Sequence, residues 1–263
     1  MKFVYPDRYS NHWQMLAAAT KRNYYEKDAV VIMARYLHED ISVYRDRFPN
    51  KKIIIYQLEP ITENNAWWSI EKVTQYLQYA DEVWDYDLCN IEYLREKCGI
   101  TAVYRPFLYS ESCCNYVDHS REKDLDVLLY SYYTDYRSKF VNEFQEKCGM
   151  SFAWLTHIHH PVLDEYISRS KVVLNIHHAE GLEQQEQTRI FYLLSNGKEV
   201  VSTKSKYNIY GDLISEAETP GEMADIVMKK VFEYDALKEH HTKYLFKKLS
   251  YQDVYNRFSN DEE

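Results

Sequence analysis

Between Lys171 and Ser202 the chain carries the motif that most narrows its fold. Lys171-Val172-Val173-Leu174-Asn175-Ile176 is an apolar run of strand length. A polar loop with His177, His178 and Glu180 follows, then a helical segment from Glu186 through Arg189 to Ser195, closed by Gly197. A second apolar run ends at Val200-Val201-Ser202. Short, nearly continuous apolar runs mark strands buried on both faces of a parallel sheet, and two of them joined through a helix form a βαβ unit. In open parallel sheets ligands bind beyond the carboxyl ends of the strands. Asn175, His177, His178 and Glu180 occupy that position, with Glu186 and Arg189 opening the helix, so this loop is the place to look for a ligand.

Strand and helix patterns alternate over the rest of the chain. In the first half, strands are expected at Lys2–Tyr5, Ala29–Ala34, Ile53–Gln57 and Glu82–Tyr86, and helices at Ser10–Tyr25, Ile70–Ala80 and Leu88–Cys98. Asp87 suits the N-cap of the last helix and Gly99 the residue after its end. From Tyr109 to Asp124 the composition turns to Ser, Glu, Asn, Asp and Arg without apolar period, as in an interdomain linker, and the boundary is placed near residue 113. The alternation then restarts, with strands at Asp126–Tyr130 and Phe152–Leu155 and helices at Asp135–Lys147 and Val162–Ser168. Thr219-Pro220-Gly221-Glu222 is a capping box with Pro at N1, and residues 236–258 read as helical. The expected domains are therefore 1–113, 114–235 and a helical tail, 236–263.

Composition sets limits. The 263 residues suffice for two small α/β domains. Only six glycines are present, and neither G-x-G-x-x-G nor G-x-x-x-x-G-K-[ST] occurs, which argues against NAD, FAD and P-loop sites. The net charge of −9 argues against a non-specific nucleic-acid or anionic-membrane surface. The five cysteines contain no C-x-x-C, and the start Met1-Lys2-Phe3-Val4-Tyr5-Pro6-Asp7 has no signal-like apolar region, so a cytoplasmic protein without a membrane span is expected.

The motif at 171–202 resembles the donor-sugar half of GT-B glycosyltransferases, with a donor domain similar to glycosyltransferase family 4. The likeness extends over about residues 50 to 205, through Ile53-Ile54-Ile55-Tyr56-Gln57-Leu58-Glu59, Tyr79-Ala80-Asp81-Glu82-Val83-Trp84, Leu88-Cys89-Asn90-Ile91-Glu92-Tyr93-Leu94, Ala102-Val103-Tyr104-Arg105-Pro106-Phe107 and Asp126-Val127-Leu128-Leu129-Tyr130-Ser131-Tyr132-Tyr133. The resemblance implies an α/β chain of GT-B type, two Rossmann-like doubly wound parallel-sheet domains with a cleft between them, the tail returning toward the first. It implies a donor of nucleotide-diphosphate sugar, UDP or GDP type, with no obligatory cofactor, and a glycan or other cytosolic acceptor. Retaining members carry two glutamates eight positions apart. Here the position eight before Glu186 is His178, so Glu186 is left as the ribose candidate and the stereochemistry stays open.

Candidate roles follow on both sides. Arg189 is either a surface partner of Glu186 or the group that neutralises the leaving diphosphate. Ser131, Tyr132 and Tyr133 precede the helix that begins at Asp135, whose N-terminal amides are a ready anion site; Arg137 in that helix either adds charge to it or is a solvated surface arginine. His177 is either a ligand to sugar or phosphate or a structural residue. On the acceptor side, Gln57 and Glu59 end a buried strand. Glu59 is the candidate general base, with Asp7 and His12 as rivals, and Trp67 is either an acceptor platform or core. No metal is expected. The histidines at 157, 159, 160, 177 and 178 match no zinc pattern, Asp87 is used as a cap, and Asp124 and Asp126 begin a strand instead of ending one. Two further readings are a phage-type transferase acting on a DNA base, which the acidic charge counts against, and a catalytically inactive GT-like binding module.

Overall fold

The computed structural model describes residues 1–5, 10–33, 42–62, 70–114 and 116–258. It divides into two compact units, Met1–Phe107 and Leu108–Glu263, the break falling ahead of residue 113. The first unit runs β1 (Lys2–Val4), α1 (Ser10–Asn23), β2 (Ala29–Met33), α2 (Ser42–Arg47), β3 (Lys52–Gln57), α3 (Ile70–Leu77), β4 (Glu82–Asp85), α4 (Leu88–Cys98) and β5 (Ala102–Tyr104). The strands are parallel and lie in chain order, β1-β2-β3-β4-β5. Val30, Ile32, Ile53, Ile55 and Val83 pack against Tyr44 of α2, Val73 and Leu77 of α3 and Leu94 of α4. Both ends of α4 form as the sequence dictates: Asp87 accepts from the Cys89 amide at 2.9 Å, and Gly99 takes φ 65°.

The second unit runs β6 (Leu125–Tyr130), α5 (Asp135–Lys147), β7 (Phe152–Leu155), α6 (Val162–Arg169), β8 (Ser170–Asn175), α7 (Gln187–Ser195), β9 (Glu199–Thr203), β10 (Ser215–Ala217), α8 (Pro220–Phe232), α9 (Ala236–Lys248) and α10 (Tyr251–Phe258). Its parallel sheet has the order β10-β9-β8-β6-β7. The chain steps from β6 to β7 on one side and then places β8 on the other side of β6. That reversal is a topological switch, and in open parallel sheets it is at the carboxyl ends of the strands on either side of such a switch, here β6 and β8, that ligands bind. Val127, Leu129, Val172, Leu174 and Val201 are buried beneath Phe140, Val141 and Phe144 of α5 and Met223, Val227 and Val231 of α8. Each such side chain contributes on the order of 1.5–3 kcal/mol.

Three local features refine the sequence reading. The short strand β10 has no apolar run to announce it. The tail is two helices: Ser250 and Asp253 exchange amide bonds at 2.8 and 3.1 Å, a reciprocal cap that starts α10 afresh. At the amino end of β6, Asp126 binds Lys171 at 2.6 Å and Asp124 binds Arg169 at 2.6 Å, so this acid pair staples the edge opposite the carboxyl ends.

The far end of α7 is held tightly. Gly197 takes φ 73°, its amide bonding Leu194 and that of Lys198 bonding Leu193, which is a Schellman motif. A Cβ on Gly197 would sit 2.2 Å from the Glu239 carbonyl oxygen of α9. The fully buried Lys198 ammonium donates to the Ser170 carbonyl at 2.6 Å and to the fully buried Glu239 carboxylate at 2.5 Å. Lys123 approaches the same carboxylate at 3.6 Å, and His119 bonds its other oxygen. Burial pushes the Glu239 carboxyl up, but His119, Lys198 and Lys123 together bring it down to about 2.

Two stability predictions follow from this junction. Gly197→Ala combines a left-handed backbone with a backbone clash and should cost roughly 2–4 kcal/mol in urea unfolding; a loss under about 0.5 kcal/mol would contradict it. Glu239→Gln leaves Lys198 buried without its counter-charge and should cost roughly 3–5 kcal/mol at neutral pH. Because the Glu239 carboxyl is depressed, its contribution is complete above the ordinary glutamate value, about 4.3, and is lost as pH falls below it. The gap between wild type and variant should therefore close in acid; a gap independent of pH would contradict the assignment.

Candidate functional site

A guanidinium bridges the switch point between β6 and β8. Arg137, at the third position of α5, is 3 % exposed. Its Nε donates to the Ile176 carbonyl beyond β8 at 2.9 Å and its Nη1 to the Tyr132 carbonyl beyond β6 at 3.2 Å. Its Nη2 reaches Glu186 Oε1 at 3.1 Å. Arg189, at the third position of α7, lies 3.1 Å from Glu186 Oε2 and donates to Asn175 Oδ1 at 2.7 Å. Its guanidinium is also 5.1 Å from the Tyr130 ring centroid. Asn175 in turn donates to Ser202 Oγ at 2.9 Å, its register partner on β9, and Ser202 donates to the Thr203 carbonyl. Thr203 Oγ1 accepts from the His177 amide at 3.0 Å.

The Glu186–Arg189 pair is thus no solvated surface pair: the two side chains are 22 % and 15 % exposed. Burial pushes the Glu186 carboxyl up, but Arg189, then Arg137, His177 and His178, outweigh it and hold it at about 2. Burial lowers Arg137 to about 10 against the opposing pull of Glu186, which leaves it cationic at neutral pH. Two cations therefore face one carboxylate, and each cation occupies the first turn of a helix, where the peptide dipoles already favour negative charge. The His177 ring is 3 % exposed, and its Nε2 has no partner among the described residues. Burial lowers its pKa.

Other residues from the sequence reading surround this cluster. The Ser131 carbonyl and hydroxyl accept from Trp154 Nε1 at 3.2 and 3.1 Å. Tyr132 and Tyr133 are about half exposed, their rings against His157 and Trp154 respectively. Thr134 caps α5 by accepting the Arg137 amide at 3.1 Å, which removes one of the amides expected to face an anion. His178 is exposed.

In the first unit, Asp7 and Trp67 lie outside the described residues, and His12 is described only as backbone within α1. Gln57 is fully buried, its Nε2 donating to the Glu59 carbonyl at 3.0 Å and its Oε1 accepting from the Tyr76 hydroxyl. Asn90 also donates to the Glu59 carbonyl, at 2.9 Å, so the backbone at Glu59 is fixed from two directions while the residue itself is half-buried. Asp85, register partner of Gln57, was not anticipated as a site residue. Its Oδ1 accepts from the Asp87 amide at 2.8 Å and from Asn90 at 3.2 Å, while its fully buried Oδ2 has no partner among the described residues. Burial, with the Asp87 charge adding, raises its pKa well above the usual range. Asp85 and Ser202 share a signal: each is the polar residue closing an apolar strand, the position that faces the carboxyl edge.

Among the described residues no group of three or more His, Cys, Asp or Glu side chains is placed to hold a metal ion, and no helix is long and apolar enough to cross a membrane. No protein-family model and no curated protein matches the sequence. Solved structures do. The E. coli trehalose-6-phosphate protein bound with UDP-2-fluoro glucose aligns at a TM-score of 0.55 and 11 % identity, over 98 % of this chain and 79 % of that one. The UDP-forming α,α-trehalose-phosphate synthase from Burkholderia xenovorans, solved with glucose-6-phosphate, aligns at 0.54 and 9 %, over 98 % and 79 %. The N-terminal domain of Candida albicans trehalose-6-phosphate phosphatase aligns at 0.54 and 10 %, over 98 % and 77 %. Likeness at such identities is a statement about architecture, and with the two parallel five-stranded sheets it means that this chain has the GT-B glycosyltransferase fold.

Proposed function

We propose that the chain is a glycosyltransferase that moves a sugar from a nucleotide-diphosphate donor of UDP or GDP type to a glycan or other acceptor. The second unit serves as the donor side and the first as the acceptor side. The observation that carries this reading is Arg137, whose guanidinium spans the switch point and shares Glu186 with Arg189. A cluster with two cations to one acid, at the first turns of two helices, is short of negative charge, and a diphosphate supplies it. The structural likeness to a protein bound with UDP-2-fluoro glucose supports the choice of donor.

In the proposed reaction the acceptor oxygen forms a bond to the anomeric carbon while the bond from that carbon to the diphosphate oxygen breaks. The leaving diphosphate gains negative charge, which Arg189 and Arg137 meet in a site already organised for it. Glu186 orients both arginines. A carboxylate has about four lone-pair positions, so Glu186 still has acceptor capacity for the ribose hydroxyls. Asn175 fixes Arg189, His177 and His178 border the phosphates, and Ser131, Tyr132 and Tyr133 line the donor on the β6 side. Glu59 is the candidate base for the acceptor hydroxyl, with Asp7 and His12 as alternatives, and Gln57 and Trp67 belong to the acceptor side. The arginines do the work that a divalent ion does elsewhere, so the reaction is independent of metal.

Steady-state kinetics with UDP- and GDP-sugars test this. Sugar transfer or donor hydrolysis should survive excess EDTA, and Arg189→Ala should lower kcat by about 100-fold or more while changing KM less. Activity abolished by EDTA and restored by Mn²⁺ or Mg²⁺, or an Arg189→Ala enzyme with unchanged kcat, would overturn the reading.

A further inference from the structure

We infer that a diphosphate bound between Arg137 and Arg189 draws a proton onto Nε2 of His177, so that the ring joins the two arginines as a third cationic donor. The inference rests on the donor-site reading above and deepens it. The Leu182 backbone favours the protonated ring, and Nε2 is buried with no partner among the described residues. A neutral ring with its proton on Nδ1 presents a bare lone pair at Nε2, which repels a phosphate oxygen. One proton taken from solvent converts this acceptor into a donor.

The groups facing the ring decide when that proton arrives. Glu186 at the start of α7 favours the cation, while Arg137 of α5 and Arg189 of α7 oppose it. From β9 the neighbour is the uncharged Thr203 hydroxyl, which holds the His177 backbone. In the free protein burial, with the two arginines adding to it, holds the ring's pKa below its ordinary value and so favours the neutral form. A diphosphate adds negative charge within this buried cluster, where it is poorly screened, and reverses the balance.

Calorimetric titration of the chain with inorganic pyrophosphate, in two buffers of different protonation enthalpy, counts the protons taken up. Wild type should take up more protons on binding than His177→Gln, which keeps an amide donor but cannot titrate; pyrophosphate's own ionisation is common to both. The wild-type affinity should also fall, by up to about tenfold more per pH unit than that of the variant, as pH rises through neutrality. Binding with equal proton uptake in the two proteins overturns this inference alone. Absence of pyrophosphate binding by wild type overturns the donor-site reading and this inference with it. If His177→Gln fails to fold, nitrogen NMR of wild-type histidine decides: the Nε2 signal should move from the unprotonated to the protonated position on adding pyrophosphate, and an unmoved signal contradicts the inference.

Discussion

The carboxylate of Glu186 is the interaction on which the second unit's switch point depends. Each of its oxygens holds one guanidinium at 3.1 Å; Arg137 is tied to the backbone beyond β6 and β8, and Arg189 to Asn175 at the end of β8. Removing the carboxylate would leave the buried Arg137 and the half-buried Arg189 repelling each other across the switch point. A buried ion cluster of this kind is weak support for stability, because desolvating three charges offsets most of their attraction. Its value lies in geometry. In the proposed reaction both arginines are fixed before the donor arrives, so little reorganisation would be left for the moment at which charge develops.

Two carboxylates of the second unit, Glu239 fully buried and Glu186 half-buried, show how partner number sets behaviour. Glu239 and Glu186 are each surrounded by bases and each held near 2. Glu239 has Lys198, Lys123 and His119 around it and joins α9 to the end of α7, deep in the unit. Glu186 sits at the other end of the same helix, beside an imidazole nitrogen with no partner among the described residues. The first cluster is closed and structural; the second is open on the side of His177. Asp85 in the first unit is the contrasting case, an acid with no base beside it among the described residues, whose pKa burial raises.

Much of this was legible in the sequence because parallel strands buried on both faces leave continuous apolar runs. The runs at Ile53–Ile55, Val127–Leu129, Val172–Leu174 and Val200–Val201 located the core strands, and Asp87, Gly99, Thr219 and Gly197 located helix ends by capping chemistry. The short β10 was not legible, since three residues with two polar members carry no period. The break before α10 turned on a local cap at Ser250 that a helical composition hides. Within the site, residue types and strand ends were readable, but partnerships were not. That Arg137 would span two loops, that Asn175 would hold Arg189, and that Ser202 would hold Asn175 are long-range contacts set by strand order, which the linear sequence does not encode locally.

The central claim is that the Arg137–Glu186–Arg189 cluster is a diphosphate site. The most direct measurement is the melting temperature of the wild-type chain and of Arg137→Ala and Arg189→Ala, each titrated with UDP and GDP beside the corresponding monophosphates. A ligand that binds only the folded state stabilises it by about 2.7 kcal/mol at a hundredfold excess over Kd. The account predicts that a diphosphate raises the melting temperature well above its monophosphate, and that either substitution abolishes the difference. A melting temperature unmoved by any diphosphate, or an equal rise in the arginine variants, would contradict it.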